Sequence, residues 1–447
     1  MTRKIATFFL KTYGCQMNEL DSEVMVGLLK RRGLVQSFDE SSADMLIFNT
    51  CSVRDLAERK VMGKLGMLCR SRTDRPIIGI TGCMASSKKA SLFSKLPYLD
   101  FVLGTNNIGD LNAVLDDVLG GKEHSFAADD VFHDDVDFRL ASREDKVKAY
   151  VSIIRGCNNF CSYCIVPYTR GREVSRPIED IITECTHLAS EGYKEITLLG
   201  QNVNSYGKDQ ASWNIRFHDL LYSLEKIPGI ERIRFMTSHP KDITRELMEA
   251  VRDIPKLCEF IHFPIQAGSN RVLKKMNRKY TAEEYLEKIA MFREIVPNVA
   301  LGTDIIVGFP TETDEEFMMT YDVMEKVRYD MAFLFAYSTR KGTAAERWDD
   351  DIVREVKDER LQKLIALQND ICSQQRQKIL GDTVEVLVEE VNFRDATMLK
   401  GRTRCWKNTL FPGDKSLIGS VQDVKVHSYH HQTLLGEMCE ARDPFDL

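Results

Sequence analysis

Two successive series of apolar runs that alternate with amphipathic stretches constrain the fold of this chain more than any other feature. In the first series, apolar runs at 5–14, 43–50, 76–82 and, more weakly, 100–105 are separated by stretches with helical periodicity. Strands that alternate with helices in this way run parallel in one sheet. The pattern therefore predicts a doubly wound parallel-sheet domain over residues 1–122.

The second series begins at the run "KAYVSIIRG" and is longer. Its six β/α units are too few for a closed eightfold barrel and predict a partial barrel over residues 147–378. A long charged helix is expected towards its end, from Asp349 to Leu380. The expected strands are 148–156, 195–201, 232–238, 260–266, 300–309 and 331–337.

Two further segments complete the predicted organisation. Residues 123–146 lack periodicity, carry the acidic run "DDVFHDDVD" and are interpreted as a linker. From 379 to 447, short strands with turn residues such as "FPGDK" predict a small all-β barrel. We expect an α/β protein of three domains, because 447 residues exceed what one hydrophobic core supports.

Composition narrows the class of protein. With 43% hydrophobic residues, 29% charged residues and a net charge of −6, the chain is typical of a soluble globular protein. The apolar run near the start stops at Lys11, and no stretch reaches membrane-spanning length. We therefore expect a cytoplasmic protein without a membrane partner. In a reducing compartment, clustered members of its twelve cysteines are better explained as metal ligands or catalytic thiols than as disulfides.

Three cysteines stand just after predicted strands of the first series: Cys15, Cys51 and Cys83, here called the strand-end thiols. The carboxyl ends of the strands in a doubly wound sheet share one edge, where such folds bind ligands. Cysteine is also a common small core residue. Three placements of the same kind favour a shared metal site over coincidence.

A second set of cysteines lies in one loop, "CNNFCSYC": Cys157, Cys161 and Cys164, here called the loop thiols. The loop follows the first strand of the partial barrel, at the face where barrels of this kind perform chemistry. A structural zinc site would normally add a fourth Cys or His, and none lies within several residues of Cys164. A 4Fe-4S cluster on three thiolates would leave one iron open to a substrate or cofactor.

The loop resembles the signature of the radical S-adenosylmethionine (SAM) superfamily, with the aromatic Tyr163 immediately before the third cysteine. The resemblance implies that SAM chelates the open iron through its amino and carboxylate groups. An electron from the reduced cluster then cleaves SAM to methionine and a 5′-deoxyadenosyl radical. The protein supplies orientation and the exclusion of water.

The likeness covers essentially the whole chain. The strand-end thiols, the partial barrel and the terminal β-domain together resemble the methylthiotransferases. The terminal segment "GRTRCWKNTLFPG" is similar to the RNA-binding TRAM module. Segments similar to the subgroup that modifies tRNA are "RGCNNFCSYCIVPYTRGREVSRP", "LLGQNVNSYG", "MTSHPKD", "HFPIQAGSNRVLKKMNRKYT" and "TDIIVGFPTET".

The resemblance implies methylthiolation of carbon 2 of N(6)-isopentenyladenosine at position 37 of tRNA, beside the anticodon. It implies two 4Fe-4S clusters, on the loop thiols and the strand-end thiols, and two SAM molecules per turnover. One SAM methylates a sulfur on the strand-end cluster, and the other yields the radical that abstracts the hydrogen of carbon 2. The implied partners are a tRNA anticodon stem-loop and a small electron-transfer protein, with the enzyme as a monomer.

Further site residues follow from the same resemblance. Gln201 takes the place of a motif that holds the SAM amino group, and Val307 and Gly308 are expected to pack on adenine. Ser238 and Gln266 point at the same face. The residues expected to meet phosphate or the SAM carboxylate are Arg170, Arg172 and Arg176, and those expected to bind RNA around a stacking ring are Arg402, Arg404, Trp406 and Lys407.

Alternatives remain open at this point. Related enzymes of the family modify threonylcarbamoyladenosine in tRNA or an aspartate of a ribosomal protein. A non-catalytic iron–sulfur RNA-binding redox sensor and a zinc-binding tRNA adaptor are rivals from other classes. The basic run "RVLKKMNRK" at 271–279 is interpreted as a solvated face.

Overall fold

The computed structural model describes residues 5–52, 61–67, 75–129 and 138–439. Within this part of the chain lie an N-terminal parallel sheet, a partial β/α barrel and a small closed β-barrel. A search of the same residues finds no helix with the length and apolar character needed to cross a membrane.

The N-terminal sheet has six parallel strands in the order β2-β1-β3-β4-β5-β6, which is the doubly wound arrangement. Four of them lie where the sequence predicts strands. The other two were not predicted, because β2 has only two residues and β6 lies inside the segment interpreted as a linker. The strands are β1 (Thr7–Tyr13), β2 (Val35–Gln36), β3 (Met45–Thr50), β4 (Ile77–Thr81), β5 (Phe101–Leu103) and β6 (Ser125–Ala127).

Helices cover both faces of this sheet. Their apolar sides and the two faces of the sheet form two clusters of buried residues, one around Phe8 and Leu20 and one around Phe48 and Ile80. Residues 61–67 are helical. The remaining α-helices of this domain are Gln16–Arg31, Cys83–Lys88, Ser91–Lys95 and Leu111–Leu119.

All six predicted barrel strands are present and parallel, in two three-stranded sheets that meet through the pair Ile233 and Leu257. Each ends one to four residues earlier than predicted, since the last predicted residues form the loops that carry the site. The strands are β7 (Lys148–Ser152), β10 (Glu195–Leu199), β11 (Arg232–Phe235), β12 (Phe260–His262), β13 (Ala300–Val307) and β14 (Met331–Ala336). A short antiparallel ribbon is formed by β8 (Ile154–Arg155) and β9 (Val174–Ser175).

The barrel helices begin at well-formed caps. Thr281 and Glu284 form a capping box at one helix, and Thr313 and Glu316 form another. The long charged helix starts at Arg354 and ends at Ile379, within the predicted range. The other α-helices of this domain are Val166–Thr169, Ile178–Ser190, Phe217–Glu225, Arg245–Asp253, Asn270–Lys275, Ala282–Ile295 and Asp314–Val327.

The C-terminal domain is a small all-β barrel, as predicted. It is closed, and its five strands follow the order β15-β16-β17-β19-β18. Its small core is formed by Val386, Val388, Leu399, Phe411 and Val424. The strands are β15 (Thr383–Val391), β16 (Met398–Thr403), β17 (Asn408–Pro412), β18 (Val421–His430) and β19 (Thr433–Met438).

Candidate active site

The strand-end thiols lie at the carboxyl edge of the N-terminal sheet. Cys15 follows β1, Cys51 follows β3 and Cys83 follows β4. The peptide N–H of Cys51 donates to the carbonyl of Tyr13 at 2.8 Å, which ties two of these strand ends together. Cys51 and Cys83 are buried, whereas Cys15 is exposed. The fold thus gathers three distant cysteines at one place.

An amide network and a glycine hold this edge in position. Asn18 Nδ2 donates to Asn49 Oδ1 at 2.8 Å, and Asn49 Nδ2 returns a bond of 2.8 Å to the carbonyl of Asn18. Gly82 has a φ of +85°, and a Cβ there would lie 2.2 Å from Asn49 Oδ1. Only glycine therefore fits before Cys83.

The strand-end thiols are arranged to carry negative charge. The pKa of Cys15 is lowered to about 6 and that of Cys83 to about 7, chiefly by a hydrogen bond with the Cys51 thiol and also by the nearby guanidinium of Arg170, against the effect of burial. The same hydrogen bonds raise the pKa of Cys51. Thiolates are the form in which cysteine binds iron.

The loop thiols follow a sharp turn at Gly156. This residue has a φ of +75°, and a Cβ would lie 1.9 Å from the carbonyl oxygen of Arg172. Its peptide N–H donates to Gln201 Oε1 at 2.6 Å, and the N–H of Cys157 donates to the carbonyl of Gly171 at 3.1 Å. Gln201, expected to contact SAM, here anchors the start of the cysteine loop.

The segment 275–278 clamps the middle of the same loop. The N–H of Ser162 donates to the carbonyl of Met276 at 3.0 Å, and Asn277 Nδ2 donates to the carbonyl of Phe160 at 2.8 Å. Arg278 Nη1 donates to Cys161 Sγ at 3.3 Å. The basic run was interpreted as a solvated face, and that interpretation is wrong for Arg278, which is 7% exposed.

The donor set around the loop thiols suits an iron–sulfur cluster. Cys161 Sγ accepts from a guanidinium, and Cys157 Sγ accepts from Asn159 Nδ2 at 3.4 Å. Hydrogen bonds of this kind stabilise cluster thiolates. Burial raises the pKa of Cys157 to about 11 and that of Cys164 to about 12, so these two thiols release their protons only on binding metal.

The arrangement of the thiols suits a single metal ion less well than a 4Fe-4S cluster. Within the described ranges, no group of three or more His, Cys, Asp or Glu side chains is placed to hold one metal ion. That the strand-end thiols share one metal site stays a prediction. A 4Fe-4S cluster differs, because each of its irons takes one thiolate.

The residues expected around SAM line the carboxyl end of the barrel. Tyr163 packs edge-on against Phe309, with ring centroids 6.5 Å apart. Val307 is fully buried, and the N–H of Gly308 donates to Glu312 Oε2 at 2.6 Å. The contact between Tyr163 and Phe309 joins the cysteine loop to the end of β13, and a role of these residues in binding SAM stays a prediction.

Two deeper residues lie inside the barrel. The hydroxyl of Ser238 donates to the carbonyl of His262, and the backbone of Gln266, at a φ of +74°, bonds to β13. His262 Nε2 lies 3.1 Å from Asp304 Oδ1. This pair was not singled out in the sequence, although "HFPIQ" and "TDII" contain it.

A buried ion-pair cluster joins the two thiol sets. Asp21, on the helix that follows Cys15, accepts from Arg155 Nη2 and from Arg170 Nη2, the latter at 2.8 Å. Beside it, Thr105 Oγ1 donates to the carbonyl of Thr169 at 2.6 Å. Asp21 is 1% exposed, so the N-terminal sheet and the barrel meet here without intervening solvent.

Two of the three arginines after the loop are not available to RNA or SAM. Arg170 is 4% exposed and is paired with Asp21. Arg176 donates to the carbonyl of Ser152 at 2.6 Å and to Glu184 at 2.8 Å. Both cations are needed inside the fold, because each neutralises a buried carboxylate. Arg172 is exposed and lies over the Phe160 ring, 4.3 Å from its centroid.

The four residues expected to bind RNA instead hold the C-terminal barrel on the β/α barrel. Trp406 stacks on Phe260, with ring centroids 5.6 Å apart, and the guanidinium of Arg402 lies over the same indole. Arg404 pairs with Glu259 at 2.6 Å, and Lys407 pairs with Asp330 at 2.8 Å.

Glu259 and Asp330, the partners of Arg404 and Lys407, directly precede strands β12 and β14. They therefore lie at the amino end of the β/α barrel. The RNA-binding assignment of Arg402, Arg404, Trp406 and Lys407 is therefore corrected: they face another domain at the end opposite the cysteine loop. Arg232 and Arg234 complete this contact by donating to the carbonyls of Arg402 and Arg404, at 2.6 and 2.7 Å. Nothing in the sequence distinguishes such cations from solvent-facing ones.

Comparison with known protein families agrees with this architecture. Residues 7–104 match "Uncharacterized protein family UPF0004", residues 151–324 match the Radical SAM superfamily, and residues 377–439 match the TRAM domain. Fold and site together define the class: a radical SAM protein with an N-terminal cysteine-bearing sheet and a C-terminal TRAM domain.

Curated relatives specify the family further. A tRNA-2-methylthio-N(6)-dimethylallyladenosine synthase of Protochlamydia amoebophila is 65% identical over 98% of this chain and 97% of its own length. The protein of that name from Thermoanaerobacter pseudethanolicus is 48% identical over 97% of this chain and 93% of its own. The chain belongs to this family of radical SAM proteins.

Solved structures share the fold at low identity. The radical SAM methyltransferase TsrM from Kitasatospora setae has a TM-score of 0.52 at 13% identity, covering 73% of this chain and 72% of its own. The cobalamin-dependent SAM radical enzyme OxsB has a TM-score of 0.51 at 12% identity, covering 83% of this chain and 56% of its own.

Proposed function

We propose that this chain methylthiolates carbon 2 of N(6)-isopentenyladenosine at position 37 of tRNA. The family to which it belongs carries this activity in its name. The observation that carries the proposal is the apposition of the two thiol sets across the Asp21 cluster, since a sulfur-donating site and a radical site must both reach one carbon atom.

The strand-end thiols and the loop thiols each hold one 4Fe-4S cluster in this proposal, with three thiolates and one open iron. When bound, the clusters and SAM supply the electron, the methyl group, the radical and the sulfur. Gln201 and Asn277 keep the loop in register, and the turn at Gly308 shapes the face for adenine. Tyr163, Val307, Ser238 and Gln266 border the same space.

In this proposal each of the three domains has its own role. We place the strand-end site in an N-terminal domain that extends past residue 122 to include β6, the radical site in 147–378 and the TRAM domain in 379–447. The enzyme acts as a monomer in the cytoplasm and receives electrons from a small electron-transfer protein.

A different residue of the TRAM domain is proposed to contact tRNA, in place of the residues around Trp406. Phe393, in the turn between β15 and β16, is 89% exposed, and the guanidinium of Arg394 lies 5.2 Å from its ring centroid. An exposed ring with a cation beside it is suited to stacking on an unpaired base. Phe393→Ala should weaken tRNA binding about tenfold, as expected for one lost stacking contact. Phe38→Ala, at a ring 79% exposed on the N-terminal domain, is the control.

The decisive experiment is anaerobic turnover of the reconstituted chain with SAM, dithionite and an isopentenylated anticodon stem-loop. Mass spectrometry of the digested nucleosides should show the methylthio adduct. Cys83→Ala should abolish the adduct but leave 5′-deoxyadenosine, whereas Cys157→Ala should abolish both. Cys439→Ala, at an exposed cysteine outside both sets, should change neither. 5′-Deoxyadenosine without an adduct from the unmodified chain would refute the substrate, and neither product would refute the radical assignment.

A further inference from the structure

The contact between Arg278 and Cys161 is not explained by holding the loop alone. Two neighbouring groups, the Ser162 N–H and the Asn277 amide, already bond the loop to the segment 275–278 through its backbone. Arg278 adds a bond to sulfur, at 3.3 Å from Nη1 to Cys161 Sγ. The donor is a charged guanidinium, and the acceptor is the sulfur of one of the loop thiols.

The guanidinium is fixed in place by neutral oxygens. Its Nε donates to the Tyr280 hydroxyl at 2.8 Å, and its Nη2 donates to the carbonyl of Pro264 at 3.1 Å. The Tyr280 hydroxyl in turn donates to the carbonyl of Ile265 at 2.8 Å. None of these partners is a carboxylate, so the positive charge of Arg278 is directed at Cys161.

The charge is also shielded from water. Arg278 is 7% exposed and Cys161 is 9% exposed. At a buried site a charge acts on its neighbour more strongly than it would in water. Hydrogen bonds to cluster sulfurs and the local charge are among the determinants of the reduction potential of an iron–sulfur cluster.

We propose that Arg278 is a positioning residue that raises the reduction potential of the cluster held by the loop thiols. The inference rests on the proposed function for the existence of that cluster. Reduction adds one electron, supplied by the donor protein or by dithionite, and therefore one negative charge to the cluster and its thiolates. No proton moves, and Arg278 stays charged in both states. A fixed cation beside Cys161 stabilises the more negative, reduced state.

The test is an EPR-monitored redox titration of the reconstituted full-length enzyme. The cluster on the loop thiols is recognised by the change of its EPR signal when SAM is added, and the Cys15→Ala/Cys51→Ala/Cys83→Ala background isolates it. Arg278→Met should shift its midpoint to a more negative potential, and Arg278→Lys should shift it less. In the enzyme that keeps Cys15, Cys51 and Cys83, the midpoint of the strand-end cluster should stay unchanged by either substitution.

Arg271→Met is the matched control. Arg271 belongs to the same basic run, but its side chain is 49% exposed and pairs with Glu316. Its removal should leave both midpoints unchanged.

An unchanged midpoint in Arg278→Met would overturn the proposal. If that variant cannot hold the cluster, Arg278→Gln decides, because glutamine removes the charge but keeps a hydrogen-bond donor: a wild-type midpoint in the glutamine variant would overturn the proposal, and a more negative one would support it. Absence of any SAM-responsive signal in the unmodified chain would instead refute the proposed function, and this inference with it.

Discussion

The strand-end thiols and the loop thiols reach the same interface by opposite routes. The first set is gathered from three strand ends between residues 15 and 83, and it exists only when the parallel sheet has formed. The second set lies within eight residues of one loop, and it is held in shape by the segment 275–278. The strand-end site depends on the whole sheet, whereas the loop site depends on a few bonds to one other segment of the barrel.

The two thiol sets also differ in the pKa values of their cysteines. Cys15 and Cys83 have a pKa lowered to about 6 and about 7, while Cys157 and Cys164 have a pKa raised to about 11 and about 12. The strand-end thiols hydrogen-bond one another beside Arg170, whereas burial dominates at the loop. Hydrogen bonds and a cation thus favour the thiolate form of two strand-end cysteines, whereas burial disfavours it for two loop cysteines.

The largest predicted effect concerns the cluster that joins the two regions. Asp21→Asn leaves the buried guanidinium groups of Arg155 and Arg170 without their shared counter-charge, which should lower the free energy of unfolding by about 3–5 kcal/mol. Denaturation in urea measures it. Asp116→Asn is the control, because that carboxylate is 68% exposed in its pair with Arg32 and should cost less than about 1 kcal/mol. Equal losses would show that the interface does not depend on Asp21.

The dependence of the strand-end site on sheet packing is tested at Gly82. Gly82→Ala places a Cβ 2.2 Å from Asn49 Oδ1 at a positive φ, which should destabilise the chain by on the order of 3 kcal/mol. Gly33 has a φ of +89° with nothing within 4 Å, so Gly33→Ala should cost only about 1 kcal/mol. Thermal unfolding compares the two. Similar shifts would mean that backbone conformation, and not the close approach to Asn49, requires glycine at Gly82.

The barrel region should respond to pH through Glu312. Burial raises the pKa of this carboxyl to about 7, although Gly308 and Arg360 oppose the shift. Because the pKa is higher in the folded than in the unfolded state, it stabilises the fold at pH values below the unfolded-state pKa. This stabilisation is lost as the pH rises to the folded-state pKa of about 7. The stability advantage of the chain over Glu312→Gln should fall by on the order of 2 kcal/mol between about pH 5 and pH 7. Unfolding free energies across this range measure it, and parallel curves would contradict it.

The smallest effect tests the local clamp of the loop. Asn277→Gly keeps a residue that tolerates the φ of +60° but removes two hydrogen bonds, to the carbonyls of Asn159 and Phe160. Local opening should become easier by about 1–2 kcal/mol, so hydrogen exchange at Ser162 should accelerate about tenfold. Exchange in β1 and β3 should not change. Acceleration in both regions would contradict the contrast drawn between the two sites.

Sequence patterns recovered the architecture and both thiol sets because these depend on local periodicity and on short motifs. All six barrel strands and four of the six N-terminal strands were predicted. The two-residue strand β2 and the edge strand β6 carry too few residues for a periodic signal. The predicted strand ends were too late, because apolar residues such as Phe263 and Ile265 continue past the end of β12.

Charged side chains were the least predictable part of the site. Arg170 and Arg404 were expected to face ligand or RNA, yet one pairs with Asp21 and the other with Glu259, far away in the sequence. Arg278, in a run interpreted as solvated, bonds a cysteine. A sequence records that a residue is cationic but not which distant carboxylate or sulfur it will meet.

The sequence by itself determined the alternation of strands and helices, the small terminal barrel and the positions of six cysteines at strand ends and in one loop. These features follow from backbone periodicity and from short-range spacing. Only the tertiary structure decided which cations neutralise Asp21, which cation faces Cys161, and that the TRAM domain is held at the barrel end opposite the loop. Those outcomes depend on buried charges finding partners across domain contacts, since an unpaired buried charge would be too costly to retain.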